Sequence, residues 1–429
     1  MKGNTKEGRA SALLPILVFL LIFLGSGFIT GNFYSMPAIA AFLIALLVAF
    51  VQNRELSFSE KIRLAAKGVG DENIITMCLI FLAAGAFTGA VKAAGGVDST
   101  VNLGLSILPS NVAVAGLFLI GCFISISMGT SVGTITALAP IAVGISEKTG
   151  FSMAVCAGAV VGGAMFGDNL SMISDTTIAA VKTQGCEMKD KFKENFLIVL
   201  PAAIATIILF LVLGRDAAFR LTGNLSYNLF RVLPYVVVLA GALAGVNVFA
   251  VLIAGTVLSL ITGVATGAFP LGEMFNHVGA GITGMYDITV ISVVVACIVA
   301  LVREYGGIDF ILAFIRKRIS GERGGELGIA ALALLVDMCT ANNTVAIVMS
   351  GPIAKEISDD FGVTPRRSAS LLDMFSSMGQ GLIPYGAQLL AAATITGLTP
   401  FEIIPYCFYP ILMGVSGLAF IFIKKRTRE

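Results

Sequence analysis

The sequence predicts an all-α polytopic membrane protein. It is expected to fold as two inverted-topology repeats of about five transmembrane helices, each with a re-entrant hairpin and one broken helix. Three observations predict this. Of 429 residues, 57% are hydrophobic and only 13% charged, with a mean hydropathy of +0.93, whereas soluble domains carry about 25% charged residues. The second half of the chain restates motifs of the first. The basic residues collect on one predicted side of the membrane.

In chain order, residues 1–11 form a cytoplasmic tail bearing Lys2, Lys6 and Arg9. The apolar run 12–30 follows; because many spans come after it, it reads as an uncleaved first helix and not a signal peptide. Spans at 35–52 and 74–93 have the length that hydrocarbon requires. Segment 111–147 is interrupted by the polar tip SMGTSVGT (127–134), which predicts a hairpin. Run 152–181 is too long for one simple span and carries its break at Gly167 to Ser174. Span 194–214 completes repeat one, 12–214, and the polar linker RDAAFRLTGNLSY occupies 215–227. Repeat two, 228–424, offers spans 229–246, 248–266 and 284–303, then hairpin 326–357 around the tip DMCTANNT (337–344). Run 366–396 is broken at Gly379 to Gly386; Pro384 there removes a backbone donor and stops a helix. Span 403–423 and a cytoplasmic tail, 425–429, end the chain.

The internal correspondence is explicit. GGVD (95–98) returns as GGID (306–309), MGTSVGT (128–134) as MCTANNT (338–344), and GDNLSMIS (167–174) faces GQGLIPYG (379–386). An odd number of crossings per repeat inverts the second against the first. That topology puts 23 of the 28 Lys and Arg on the side of both termini, so both termini are expected in the cytoplasm.

The stretch GDNLSMISDTT (167–177) places two aspartates inside a run of Ala, Val, Gly and Met. Ionisable groups at membrane depth are costly and usually functional. Asp168, Asn169, Ser171, Asp175 and Thr176 form an all-oxygen set that suits a hard cation such as Na⁺, with carbonyls freed where the helix unwinds. Neither Lys nor Arg lies within the run, so its carboxylates need a bound cation or a proton to be neutral. One carboxylate holding Na⁺ or H⁺ alternately is the core of cation/proton exchange, and Na⁺ is assigned to Asp168 and Asp175. The competing reading of Asp175 is an N-cap for the second half-helix.

Thr130 and Ser131 at the first hairpin tip, and Asn342, Asn343 and Thr344 at the second, could complete the coordination. They could equally serve only to turn a buried tip. Gln380 and Asp373 belong to the second-repeat site, Asp373 as a further proton carrier, whereas Asp337 is expected only to solvate the hairpin tip. His277 is placed in an outer loop.

Seven scattered cysteines read as packing residues, and a single histidine excludes a multi-histidine metal centre. No nucleophile–base pair or metal motif points to an enzyme, no filter motif points to a channel, and no cofactor is expected. The expected partners are Na⁺, H⁺ and the lipid bilayer, with no nucleic acid. The alternative function is Na⁺- or H⁺-coupled transport of a small organic acid or amino acid, which Asn342, Asn343, Gln380 and Gln388 could hydrogen-bond. The lack of intramembrane Lys or Arg argues against a dicarboxylate cargo.

GDNLSMISDTT resembles the signature of NhaC-type Na⁺/H⁺ antiporters, in which a GD-x-x-S-P-x-SDTT pattern is expected; Met172 stands at the proline position. The similarity extends over the repeat cores. It implies a Na⁺/H⁺ antiporter of a prokaryotic cytoplasmic membrane, with inverted repeats, two re-entrant hairpins, and a transport part moving against a scaffold, often as a homodimer. Relatives of this type include malate/lactate exchangers, so the resemblance implies cation coupling more firmly than cargo.

Overall fold

The computed structural model describes residues 8–30, 36–107, 110–172, 174–215, 225–244 and 246–423. Of the described residues 84% are helical, and none is in a strand. Most of both expected tails and most of the expected linker lie outside the described residues.

Ten helices build the functional centre. They are α1 (Ala113–Met128), α2 (Ser131–Thr149), α3 (Met153–Leu170), α4 (Asp175–Gln184), α5 (Met188–Arg215), α6 (Gly321–Thr340), α7 (Asn343–Phe361), α8 (Pro365–Gln380), α9 (Ala387–Thr396) and α10 (Phe408–Ile423). The helix pairs α1–α2 and α6–α7 occupy the two segments expected to form hairpins. The pairs α3–α4 and α8–α9 are the two long runs, each interrupted.

Both tips are two-residue turns of one design. Gly129 closes α1 at φ 69°, and Thr130 is extended and caps α2 by accepting from the Gly133 amide at 3.4 Å. In the second tip Ala341 takes the left-handed conformation at φ 50°, and Asn342 caps α7 by accepting from the Val345 amide at 3.0 Å. An L-residue in that region costs roughly 1–2 kcal/mol. The tip keeps this geometry even without the glycine that would relieve it.

The α3–α4 break is shorter than expected. Helix α3 continues through Leu170, its last turn closed by the Ser171 amide on the Gly167 carbonyl at 2.7 Å. Asp168 and Asn169 therefore lie on the final helical turn, not in an unwound segment. No proline precedes Ser171 in this turn, so every backbone donor is available to continue the helix. In the partner run α8 ends at Gln380, and extended Gly386 leads into α9.

Lipid provides little hydrophobic drive for helix association, so close packing through small residues does much of the work. Helix α3 shows this against α1: a Cβ on Gly163 would lie 2.5 Å from the Phe118 carbonyl oxygen, and one on Gly167 would lie 2.2 Å from the Ser125 Cβ.

Around this centre, helices Ile74–Ala93 and Val248–Ala265 are long and apolar enough to cross a bilayer, as are 153–184 taken across its break and Met188–Gly214. Two bent pairs, 289–304 with 307–315 and 387–396 with 400–406, each qualify if taken as one span. The expected first spans, 12–30 and 35–52, overlap shorter apolar helices, Ala10–Phe23 and Ile39–Val51. His277 is not in a loop: it lies in helix Met274–Thr283 with its ring 4.8 Å from that of Phe269.

Candidate functional site

A cavity of about 570 Å³ opens where the two tips meet the two breaks. Four helices begin on its wall: α2 at Thr130 and Ser131, α4 at Ser174 and Asp175, α7 at Asn342 and Asn343, and α9 at Ala387 and Gln388. The N-terminal ends of helices carry partial positive charge and free backbone donors. Three carboxylates face the same space, those of Glu72, Asp168 and Asp175, and its described lining includes no Lys, Arg or His.

Asp168 is the centre of the arrangement and is only 4% exposed. Its Oδ2 accepts from the Ser131 hydroxyl at 2.8 Å and from the Asn343 amide at 3.3 Å, and its Oδ1 accepts from the Ser174 hydroxyl at 2.6 Å. All three donors are neutral. Hydroxyl oxygens have lone pairs as well as a proton; a hydroxyl that donates to a carboxylate can rotate and present its oxygen to a cation instead. Behind these donors, the Gln388 side chain donates to Ser131 at 3.0 Å, Gln380 donates to Gln388 at 2.7 Å and to the Ala341 carbonyl at 3.1 Å, and Ser174 shares a 2.8 Å hydrogen bond with Thr176.

The remaining expected residues divide between the cavity and other roles. Asp175 is the first residue of α4, with Ser174 in the N-cap position, and it is exposed to the cavity beside Glu72. The capping alternative for Asp175 therefore fails. Thr130 and Asn342 line the cavity while their side chains cap helices, and the Thr344 amide is held by Asn343 Oδ1 at 3.1 Å. Ser171 turns away to donate to the Ile126 carbonyl at 2.6 Å.

Asn169 also faces elsewhere. Its carbonyl, freed by the end of α3, accepts from Lys191 at 2.8 Å and Asn195 at 3.0 Å, and its side-chain oxygen accepts from Asn195 at 2.7 Å. The expectation that freed carbonyls here serve a cation is thus corrected for Asn169, whose carbonyl is occupied by protein donors. Lys191 pairs with Asp373 and donates to Thr177 at 3.1 Å; Thr177 in turn donates to Asp373 at 3.1 Å. Both ends of the pair are buried, with side chains 1% and 0% exposed.

Lys191 is the residue that sequence reasoning missed. The expected span begins only at 194, yet α5 begins at Met188 and turns Lys191, Asn195, Ile198 and Ala202 inward. That stripe, at intervals of three and four residues, is the helical period, and it could have been found. Arg367 is buried as well, bonded to Glu326 at 2.8 Å and ion-paired to Glu194 at 3.4 Å. The premise that no Lys or Arg lies in the interior is therefore wrong. Both nevertheless have protein carboxylates as partners.

The sequence profile of the Na⁺/H⁺ antiporter family matches residues 8–215 and 227–424. The malate-2H⁺/Na⁺-lactate antiporter of Bacillus subtilis (strain 168) is 23% identical over 449 residues, covering 97% of this chain and 95% of its own. The Na⁺/H⁺ antiporter NhaC of Alkalihalophilus pseudofirmus is 23% identical over 443 residues, covering 95% and 94%. The arginine/ornithine antiporter ArcD of Halobacterium salinarum is 23% identical over 365 residues, covering 76% and 74%.

Proposed function

The chain belongs to the Na⁺/H⁺ antiporter family, and from that premise we propose that it exports Na⁺ in exchange for H⁺ across a prokaryotic cytoplasmic membrane. Asp168 binds the two ions in alternation. The observation that carries this reading is the buried Asp168 carboxylate with only neutral donors, Ser131, Ser174 and Asn343, on a cavity wall that bears acidic but no basic side chains. A carboxylate so placed has no resident counter-charge. It is neutralised by a proton or by a cation, and binding one displaces the other. Ser131, Ser174 and Thr176 supply further oxygens, and Asp175 with Glu72 draws cations into the cavity. Asp373, paired with Lys191, is a further proton carrier in this reading.

In this reading the halves 12–214 and 228–424 are inverted repeats. The pairs α1–α2 and α6–α7 enter the membrane from opposite faces without crossing, and both termini are cytoplasmic.

A second reading has a specific observation in its favour. The cavity, at about 570 Å³, is far larger than an ion requires, and four helix N-termini converge on it. Helix N-termini favour carboxylates, so coupled exchange of a small organic acid or amino acid fits the same space.

The test uses purified protein in liposomes with an acid interior and a trapped pH dye. Addition of NaCl, but not choline chloride, should collapse the gradient in the wild type and leave it intact in Asp168→Asn. Exchange retained in that variant would remove Asp168 from its role. If Na⁺ fails in the wild type too, Na⁺-driven uptake of organic acids and amino acids in the same vesicles decides for the second reading.

A further inference from the structure

Asp337 lies on α6, one turn before the Ala341–Asn342 tip, and is wholly buried. Neither of its carboxylate oxygens has a hydrogen-bond partner. It is pressed against the backbone of α8: a Cβ added to Gly379 would lie 2.6 Å from Asp337 Oδ2. The titratable groups that face it are Cys339 on its own helix and Tyr385 in the α8–α9 break, whose hydroxyl is committed to the Met338 carbonyl at 2.6 Å. Of the charged side chains on the helices packed around α6, Asp373 is paired with Lys191, Arg367 with Glu194 and Glu326, and Lys355 with Asp359; Arg366, Glu356, Asp360 and Asp309 also lie on α8, α7 and the helix Gly307–Arg316. Arg303 and Glu304 line a neighbouring cavity of about 420 Å³.

An ionised carboxylate in such a place, with neither donor nor counter-ion, carries the full penalty of desolvation. As a neutral acid it is tolerated, but it makes no bond that a leucine or asparagine would lose. A structural role therefore gives no reason for an acid here. Its position gives a functional one. The tip just beyond it, Ala341 and Asn342, lines both the 570 Å³ and the 420 Å³ cavities, and Thr340 lines the second. Displacement of this tip would bring water to Asp337.

We propose that Asp337 is a further proton-carrying group, distinct from Asp168 and Asp373, protonated in the conformation described here and discharged when the α6–α7 tip moves. On discharge the carboxyl O–H bond breaks, the proton passes to cavity water, and the electron pair stays on the carboxylate. Reprotonation from the other side completes the cycle. The proposal rests on the exchange reading above and adds one proton per cycle to it.

The experiment compares wild type, Asp337→Asn, Asp337→Leu and Asp168→Asn in two ways. Infrared difference spectra over a pH titration should contain a protonated-carboxyl band that is present in Asp168→Asn and absent from both Asp337 variants. A band unchanged in the Asp337 variants, or one that never discharges at any pH, overturns the proposal whatever the flux shows. In liposomes, the membrane potential at which Na⁺ and H⁺ gradients give no net flux reports the protons moved per Na⁺. That number should fall by one in Asp337→Asn while exchange continues, and an unchanged number overturns the proposal. Absence of exchange in the wild type would instead overturn the exchange reading, and the infrared titration would still decide whether Asp337 takes up and releases a proton. The leucine variant keeps both tests usable if asparagine disturbs folding.

Discussion

Replacing Ser131 by alanine removes one hydroxyl that serves two neighbours. It donates to Asp168 Oδ2 at 2.8 Å and accepts from Gln388 Nε2 at 3.0 Å. After the change, Oδ2 retains only the Asn343 amide, at 3.3 Å. A hydrogen bond to a charged group contributes about 1.5–3 kcal/mol. At about 1.4 kcal/mol per factor of ten, half-saturating Na⁺ for gradient collapse should rise by roughly ten- to a hundredfold. The same loss destabilises the ionised carboxylate against its protonated form. Protons then compete more strongly, and the activity profile should move to higher pH. The assay is the Na⁺ dependence of dye-reported proton movement at several pH values, with Ser125→Ala as a control. Ser125 is buried and donates to the Ala164 carbonyl at 2.6 Å, so it offers the same chemistry away from the carboxylate. A folded Ser131→Ala protein with wild-type Na⁺ dependence and an unshifted pH profile would refute the assignment of Ser131 to the ion site.

The other predictions concern packing and the buried ion pair. Lys191→Met leaves Asp373 without its cation and should destabilise the protein by about 3–5 kcal/mol. Adding Asp373→Leu should restore much of that loss; thermal unfolding in detergent across the four-protein cycle would contradict the pair's importance if the single changes were additive. Gly167→Val should prevent recovery of monodisperse protein, because the new side chain would start 2.2 Å from the Ser125 Cβ; size-exclusion profiles matching the wild type would show that α1 and α3 are not held at this crossing. Asp175→Asn should weaken Na⁺ dependence by less than Asp168→Asn does, since its carboxylate is open to the cavity; total loss of exchange in liposomes would give Asp175 the central role instead.

Much of this architecture was legible from residue order. The tips SMGTSVGT and DMCTANNT stood out because polar residues interrupt apolar runs, and both coincide with tight turns between helices. Asp168 stood out for the same reason. The extent of the break did not, because whether α3 stops at Gly167 or Leu170 depends on three further backbone hydrogen bonds, one per residue, and no residue type in GDNL forbids them. The partners of Asp168 were only half legible. Ser131 and Asn343 could be named as tip residues, but which of several neighbouring polar side chains reaches a carboxylate is decided by helix rotation. Lys191 was obscured by company: among Lys182, Lys189 and Lys193 it reads as one more surface cation, and only the inward stripe of α5 distinguishes it. The burial of Asp337 was not legible, because a tip residue next to Met and Cys gives no sign of whether water reaches it.

The partners of Asp168 and Lys191 come from distant parts of the chain, and this has a consequence for biosynthesis. Ser131, Asp168, Ser174 and Lys191 leave the ribosome well before Asn343, Asp373 and Gln388. Until the second half arrives, the nascent first half holds a lysine destined for the interior with no counter-charge and a carboxylate short of donors. The Lys191–Asp373 pair that seats α5 against α8 therefore forms only after α8 has been made. A chain stopped near residue 215 should hold Lys191 without its carboxylate partner, and the first half alone should lack the pairing that fixes α5 in the folded protein.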